Sequence, residues 1–316
     1  MNHPKPKLVI SACLNGEFVR YNGGTVEDPF VKKLLNYCQP ISVCPEVSIG
    51  LGVPRAKVLI YWKDGHPRLF QPSTQRDLTE EMERFSEEFL SSLPEVDGFL
   101  LKAKSPSCGV SNSTLSYKDP EGKVFSHRTK GLFARKVLEK FEDLPVEDEK
   151  RLRNEHIRRH FLVRLFSSAR LREFMETAQR ISQLMDFHKR NKYLLMLHSQ
   201  VKLKEMGRLV ATSKNLQETL KEYAKLFRLA LKRAPSKGQW VNTFTHIFGY
   251  FSSRLNQKEK EHFFNLLEDF RKDLIKENVI LELLKNWSFR FEEEYLQSQT
   301  LFEPYPKELE KDAQRD

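Results

Sequence analysis

The stretch DLTEEMERFSEEFLSSLPEVDGFLLKAKSPSCG, residues 77–109, changes periodicity midway. Leu78, Met82, Phe85 and Phe89 recur at helical spacing with acids between them, the pattern of a helix that buries one face. After Pro94 the run DGFLLKA is short and apolar and ends in polar and Pro/Gly-containing sequence, which predicts a buried strand over 97–103. AKVLIYW, residues 56–62, precedes the helix and reads as another strand. Strand, helix and strand in this order predict a crossover unit and a mainly parallel sheet. KLVISAC at 7–13 and ISVC at 41–44 read as further strands of it.

The pattern changes at FEDLPVEDEK, residues 141–150, an acidic linker containing Pro145. Beyond it HIRRHFLVRLF (156–166), LQETLKEYAKLFRLAL (216–231) and EKEHFFNLLEDFRKDLIKENV (259–279) keep helical periodicity, broken in the middle by APSKGQ (234–239). The expected fold class is therefore a Rossmann-like α/β domain over 1–145, followed by an all-α domain over 146–316.

The 316 residues carry 53 Lys and Arg against 43 Asp and Glu, which asks for an anionic partner. The excess is concentrated. Residues 150–237 hold 22 basic against 7 acidic residues, and the rest of the chain is net acidic. An excess of this size over one stretch favours a phosphate-binding face over a merely solvated helical surface. Lys189, Arg190 and Lys192 are its expected RNA contacts, while Phe187, Tyr193 and Phe227 read as core. No apolar run approaches the length of a membrane span, and MNHPKPKLVISACL lacks a secretory cleavage pattern. The expectation is a soluble cytoplasmic protein with reduced thiols and no membrane partner, its oligomeric state left open.

Four cysteines, at 13, 38, 44 and 108, are too few and too scattered for a disulfide scaffold. Cys13, Cys44 and Cys108 each follow a predicted strand, and ligand sites in parallel sheets lie at the carboxyl ends of strands. Spacing alone leaves three readings open: small buried hydrophobes, a zinc site, or an iron–sulfur cluster. The neighbours add weight to a site. Glu46 lies two residues from Cys44, and Ser105 and Ser107 lie beside Cys108 in Pro- and Gly-bounded loops, so an acid, hydroxyls and metal-binding thiols stand together. Cys38, at a predicted helix end, reads as a core residue. His156 and His160 are spaced i, i+4 but have no third ligand at suitable spacing.

SACLNGEFVRYNGG, VCPEVSIGLGVPRAKV, RDLTEE, LLKAKSPSCGVSNS and TKGLFARKVL together resemble successive blocks of the TudS-type (DUF523) desulfidases over residues 5–142. HFLVRLFSS, DFHKRNKYLLMLHSQ, NTFTHIFGYFSSRL and LQSQTLFEPYPKEL resemble the YbgA-like DUF1722 domain. The two in this order are similar to desulfidases of tRNA 4-thiouridine. The resemblance implies a [4Fe-4S] cluster held by Cys13, Cys44 and Cys108, with one iron open to the substrate sulfur. It implies catalytic roles for Glu46, as general base, and Ser105, as proton relay, and adds Arg20, Tyr21 and Arg55 as weaker candidates. tRNA is the implied partner, with room for a small sulfide acceptor. A desulfidase of free thiolated pyrimidines and a non-catalytic nucleic-acid-binding protein with a structural cysteine site are the alternatives.

Overall fold

The computed structural model describes residues 3–63, 65–111, 113–118 and 124–310. The chain forms two compact units. One contains residues up to 172 together with the segment from 305, and the other contains 173–304.

The first unit has nine strands: β1 (Lys7–Ser11), β2 (Gln39–Val43), β3 (Leu59–Lys63), β4 (His66–Gln71), β5 (Arg76–Asp77), β6 (Gly98–Leu101), β7 (Ser113–Lys118), β8 (Val124–Thr129) and β9 (Val146–Asp148). β2-β1-β6-β9 form one sheet in which every pairing is parallel. Leu8, Val9, Ile10, Phe99, Leu100 and Leu101 are all fully buried, as a parallel sheet covered on both faces requires. The connection from β1 to β2 passes through α1 (Pro29–Leu35). The Asp28 side chain accepts from the Phe30 and Val31 amides at the start of that helix, and Pro29 is pre-set for its first turn. The short helix α2 (Pro45–Ser48) follows β2, and α3 (Thr79–Ser92) precedes β6.

The helix at 79–92 and the strand at 98–101 lie where the periodicity puts them, but AKVLIYW does not join the parallel sheet. Its β3 belongs to a second, mixed sheet in the order β5-β4-β3-β7-β8. β3 is only partly covered: Ile60 is buried and Tyr61 half-buried, while Leu59 on one face and Trp62 on the other are exposed, unlike a strand of a parallel sheet buried on both faces. β4 then runs antiparallel to β3, with Lys63 opposite His66 and Gly65 at φ +79.

The acidic linker also does more than connect. Its residues 146–148 form β9, the fourth parallel strand. After α4 (Leu132–Lys140) and β9 comes α5 (Glu155–Thr177), the first half of which packs on the sheet. A Cβ at Gly98 would stand 2.9 Å from Leu165 Cδ1 and from Pro145 Cγ, so only glycine lets strand and helix approach this closely. Farther along α5, the Arg172 guanidinium bonds fully buried Asp97 at 3.0–3.3 Å, and Asp97 also accepts from the Lys7 amide at 2.8 Å. These contacts place the boundary between the units inside α5, not at Pro145.

The second unit is helical: α6 (Ile181–Arg190), α7 (Lys192–His198), α8 (Gln200–Ala211), α9 (Leu216–Leu231), α10 (Lys237–Phe248), α11 (Gln257–Arg271), α12 (Glu277–Arg290) and α13 (Glu294–Gln297). Tyr193, Tyr223, Phe227, Phe244, Phe251 and Phe263 form its buried aromatic interior. The periodic run 259–279 is interrupted, because α11 ends at Arg271 and Asp273 turns the chain at φ +60 before α12. No helix among the described residues is long and apolar enough to cross a membrane.

Removing one partner of the Asp97–Arg172 pair leaves the other charge buried and uncompensated. Asp97→Ala is expected to lower stability by about 3–5 kcal/mol in urea unfolding. Asp97→Leu combined with Arg172→Met should recover most of the loss, and a double variant as unstable as the single one would show that the pair is not the cause.

Candidate active site

All four parallel strands end at the same edge, and the loops there frame a cavity of about 380 Å³. Cys13 lies in the one-turn helix Ala12–Asn15 that continues β1, and Cys44 caps α2 directly after β2. Cys108 lies seven residues beyond β6 in the SPSCG loop. All three thiols line the cavity, together with Glu46 and Ser105, whereas Cys38 is buried elsewhere and does not line it.

The Cys108 loop is held by backbone. The first turn of α4 has amides with no carbonyl of their own helix to bond. Leu132 N donates to Pro106 O at 3.0 Å, Ala134 N to Ser107 O at 3.0 Å, and Gly131 N to Gly109 O at 2.7 Å. This contact admits no side chain at 131, where a Cβ would lie 2.4 Å from Ser107 O. Gly109 is equally confined, since a Cβ there would lie 2.0 Å from Ser113 Oγ. Within the loop, Ser105 Oγ accepts from the Ser107 and Cys108 amides at 3.2 and 3.0 Å. The glycines in SPSCG and TKG therefore serve close approach and not flexibility.

Around this loop the charges are paired. Arg55 donates through Nε and Nη2 to Glu46 Oε2 at 3.0 and 2.7 Å, and through Nη1 to Val19 O and Gly52 O. The other Glu46 oxygen accepts from Ser107 Oγ at 3.0 Å. Glu46 is thus fixed by Arg55 on one side and by Ser107, not Ser105, on the other. Behind Cys13, Lys102 pairs with Glu149 at 2.7 Å, and Glu149 also accepts from the Ala103 amide at 2.8 Å. Lys57 and Arg20 both lie over the Tyr21 ring, 5.2 and 5.8 Å from its centroid.

Sequence reading brought together the three cysteines, Glu46, Ser105, Arg20, Tyr21 and Arg55. It missed Lys102 and Glu149, and it named Ser107 without pairing it with Glu46. Lys102 and Glu149 immediately follow strands β6 and β9, and recognising 146–148 as a strand would have flagged Glu149.

Burial sets the chemistry of the thiols. It pushes Cys13 up to about 11, with Lys102 acting in the opposite direction, and it raises Cys44 and Cys108 as well. After burial, charge adds to this: Cys44 raises Cys13, and both raise Cys108. Among the described residues, no three of His, Cys, Asp and Glu lie close enough to share one metal ion.

Lys189, Arg190 and Lys192 lie at the junction of α6 and α7 in the second unit, away from these thiols in sequence. Lys189 and Lys192 line a separate hollow there; Arg190 is exposed and does not. Phe227 and Tyr193 are buried, as expected of core, and Phe187 stacks on Phe174 at 4.4 Å. His198 Nδ1 contacts Arg233 O at 2.9 Å and His188 Nδ1 contacts the Tyr223 hydroxyl at 3.2 Å, which are packing roles.

Residues 8–149 match the 2-thiouracil desulfurase family, and residues 192–306 match a family described as a protein of unknown function, DUF1722. An uncharacterized protein YbgA of Escherichia coli is 24% identical over 149 residues, 46% of this chain and 88% of YbgA. An uncharacterized protein YbbK of Bacillus subtilis is 29% identical over 125 residues, 36% of this chain and 83% of YbbK. A solved structure of a [4Fe-4S]-dependent thiouracil desulfidase, TudS, is 27% identical and covers 47% of this chain and 94% of its own, with a TM-score of 0.37.

Gly131→Ala should dislodge the Cys108 loop, because backbone cannot step aside as a side chain can. Overpacking of this kind costs about 1–3 kcal/mol. In the metal-free protein, the rate at which a thiol reagent modifies Cys108 should rise at least about tenfold relative to wild type, the equivalent of about 1.4 kcal/mol in the opening equilibrium. An unchanged rate would show that the amide contacts do not hold the loop.

Proposed function

We propose that this chain, which joins a 2-thiouracil desulfurase domain to a DUF1722 domain, removes sulfur from 4-thiouridine in tRNA by hydrolysis. The observation that carries the desulfidase part is the convergence of three free thiols, Cys13 and Cys108 buried and Cys44 half-buried, with a fixed carboxylate on one cavity at the strand edge. The same sites serve a free thiolated pyrimidine equally well. The basic stretch 150–237 favours an RNA substrate.

The donor set fits an iron–sulfur cluster. Cys13, Cys44 and Cys108 all line one cavity of about 380 Å³, which has room for a polynuclear group. Cys13, Cys44 and Cys108 would hold a [4Fe-4S] cluster as its three protein ligands. When bound, it supplies an open iron, a Lewis acid for the sulfur of the base.

The chain's own residues do the rest. Water adds at the carbon that carries sulfur, C=O replaces C=S, and hydrogen sulfide leaves, so no oxidant or reductant is consumed. Glu46 takes the proton of the attacking water. Arg55 and Ser107 hold its carboxylate in one orientation, so it need not be ordered during the reaction. Ser105 delivers a proton to the departing sulfur. Its oxygen already accepts two amide bonds, which fixes the hydroxyl and leaves its hydrogen free to point into the cavity. In the second unit Lys189, Arg190 and Lys192 contact phosphates of the tRNA.

The test is to incubate iron-loaded protein with thiolated tRNA and follow loss of the thiouridine absorbance together with sulfide release. No turnover of tRNA alongside turnover of free 4-thiouracil would establish the small-molecule reading instead. Cys13→Ala, Cys44→Ala and Cys108→Ala should each lose iron and activity, while Cys38→Ala keeps both. Glu46→Gln and Ser105→Ala should keep the visible absorption of the cluster and lose about 10²- to 10⁴-fold in rate. Wild-type rates in both variants would assign the proton transfers to other groups. Charge reversal at Lys189, Arg190 and Lys192 should slow tRNA desulfuration more than 4-thiouracil desulfuration, with the gap from wild type widest at low salt and closing as salt rises.

A further inference from the structure

The second unit contains a hollow of its own, about 390 Å³ and open to solvent, between the end of α6, the start of α7, α8 and the turn after α10. Its wall includes His188, Lys189, Lys192, Gly207, Tyr250 and Tyr295. The rings of Tyr250 and Tyr295 lie 5.9 Å apart, and Tyr193 lies beneath both, 6.4 and 6.3 Å from them. Tyr250 is 36% exposed, an aromatic surface left in water beside a packed interior.

Two ammonium groups stand over this aromatic floor. Lys189 Nζ lies 5.4 Å and Lys192 Nζ 6.0 Å from the Tyr295 ring centroid. No carboxylate lines the hollow among the described residues. Gly207 sits in the interior of α8, where glycine is a poorer helix former than alanine. A Cβ at that position would meet only His188 Nε2, at an ordinary 3.6 Å, so packing does not call for glycine. What its absent side chain does is keep the hollow open. Burial, and then Lys192, hold His188 below its usual pKa, so a neutral imidazole borders the space.

We infer that this hollow is a subsite for one unpaired nucleotide, with its base against Tyr250 and its phosphate on Lys189 and Lys192. The inference rests on the RNA reading above and adds that the helical unit grips a single-stranded nucleotide, beyond attracting a duplex by charge. The two features needed are both present. Stacking on an aromatic face accepts any base, and lysine serves as a point charge for phosphate. The volume lies at the low end of the range of about 300–1,000 Å³ typical of small-molecule sites, which suits one nucleotide and not a longer segment.

The experiment measures fluorescence anisotropy of a fluorescein-labelled single-stranded oligouridylate across a salt series, with wild type, Tyr250→Leu, Lys192→Met and Gly207→Leu. Tyr250→Leu is expected to weaken binding about 5- to 150-fold with an unchanged salt slope, the signature of lost stacking. Lys192→Met should reduce the slope of log K against log salt by about 0.7, the value for one phosphate contact on a single strand. Gly207→Leu, which fills the hollow, should abolish binding; circular dichroism identifies any variant that fails to fold, and Tyr250→Leu, at an exposed site, then carries the test. Wild type that does not bind the oligonucleotide, or Tyr250→Leu that binds like wild type, overturns the inference. The RNA reading itself stands or falls separately, on turnover of thiolated tRNA by the wild-type protein.

Discussion

The amides that open α4 have no acceptors in their own helix, and in this protein they bond the carbonyls of the loop leading to Cys108. This places a thiol that the sheet alone does not place, since Cys108 is seven residues past the end of β6. Cys13 and Cys44 need no such device, because each follows its strand within two residues. Gly109 and Gly131 are the cost of the arrangement: both stand where a single methyl group would collide with backbone or a fixed hydroxyl. The cavity at the strand edge takes its shape from this backbone-to-backbone contact.

The electrostatics of the cavity follow from what surrounds it. Arg55 and Lys102 both point at the site, and each is already matched, Arg55 by Glu46 and Lys102 by Glu149. Their side chains are 4% and 18% exposed, so these pairs are far less screened than surface ion pairs. The wall of the cavity also carries Arg20, Lys57, Lys104 and Lys150, with Glu46 its only acid, so its lining is basic overall. In the hollow of the helical unit, two lysines are unmatched by any carboxylate that lines it.

Much of this was legible before any coordinates. Cysteines after strands predict convergence at a strand edge, and Cys38 at the end of a helix reads as core, because the period of the apolar residues shows which segments are buried. AKVLIYW was misread because a short apolar run does not say whether one or both of its faces is covered; Leu59 and Trp62 turn out to face water. The stretch after Pro145 was misread because acidic residues in a linker mask a three-residue strand whose partner, β6, lies some fifty residues upstream. Tyr250 and Tyr295 carry no local signal at all. They meet because helices far apart in sequence pack together, and an aromatic residue in a helical run usually belongs to the core.

The three thiols of the cavity are 31 and 64 residues apart along the chain. No two of them form the close pair by which an unfolded chain chelates metal, and their geometry exists only once β1 has paired with both β2 and β6 and α4 has closed on the last loop. Parallel pairings are non-local contacts and are late, slow events in folding. Small zinc domains fold because the metal draws their ligands together. Here the strands must pair before the three thiols share one cavity, so any group they hold together would meet a folded chain.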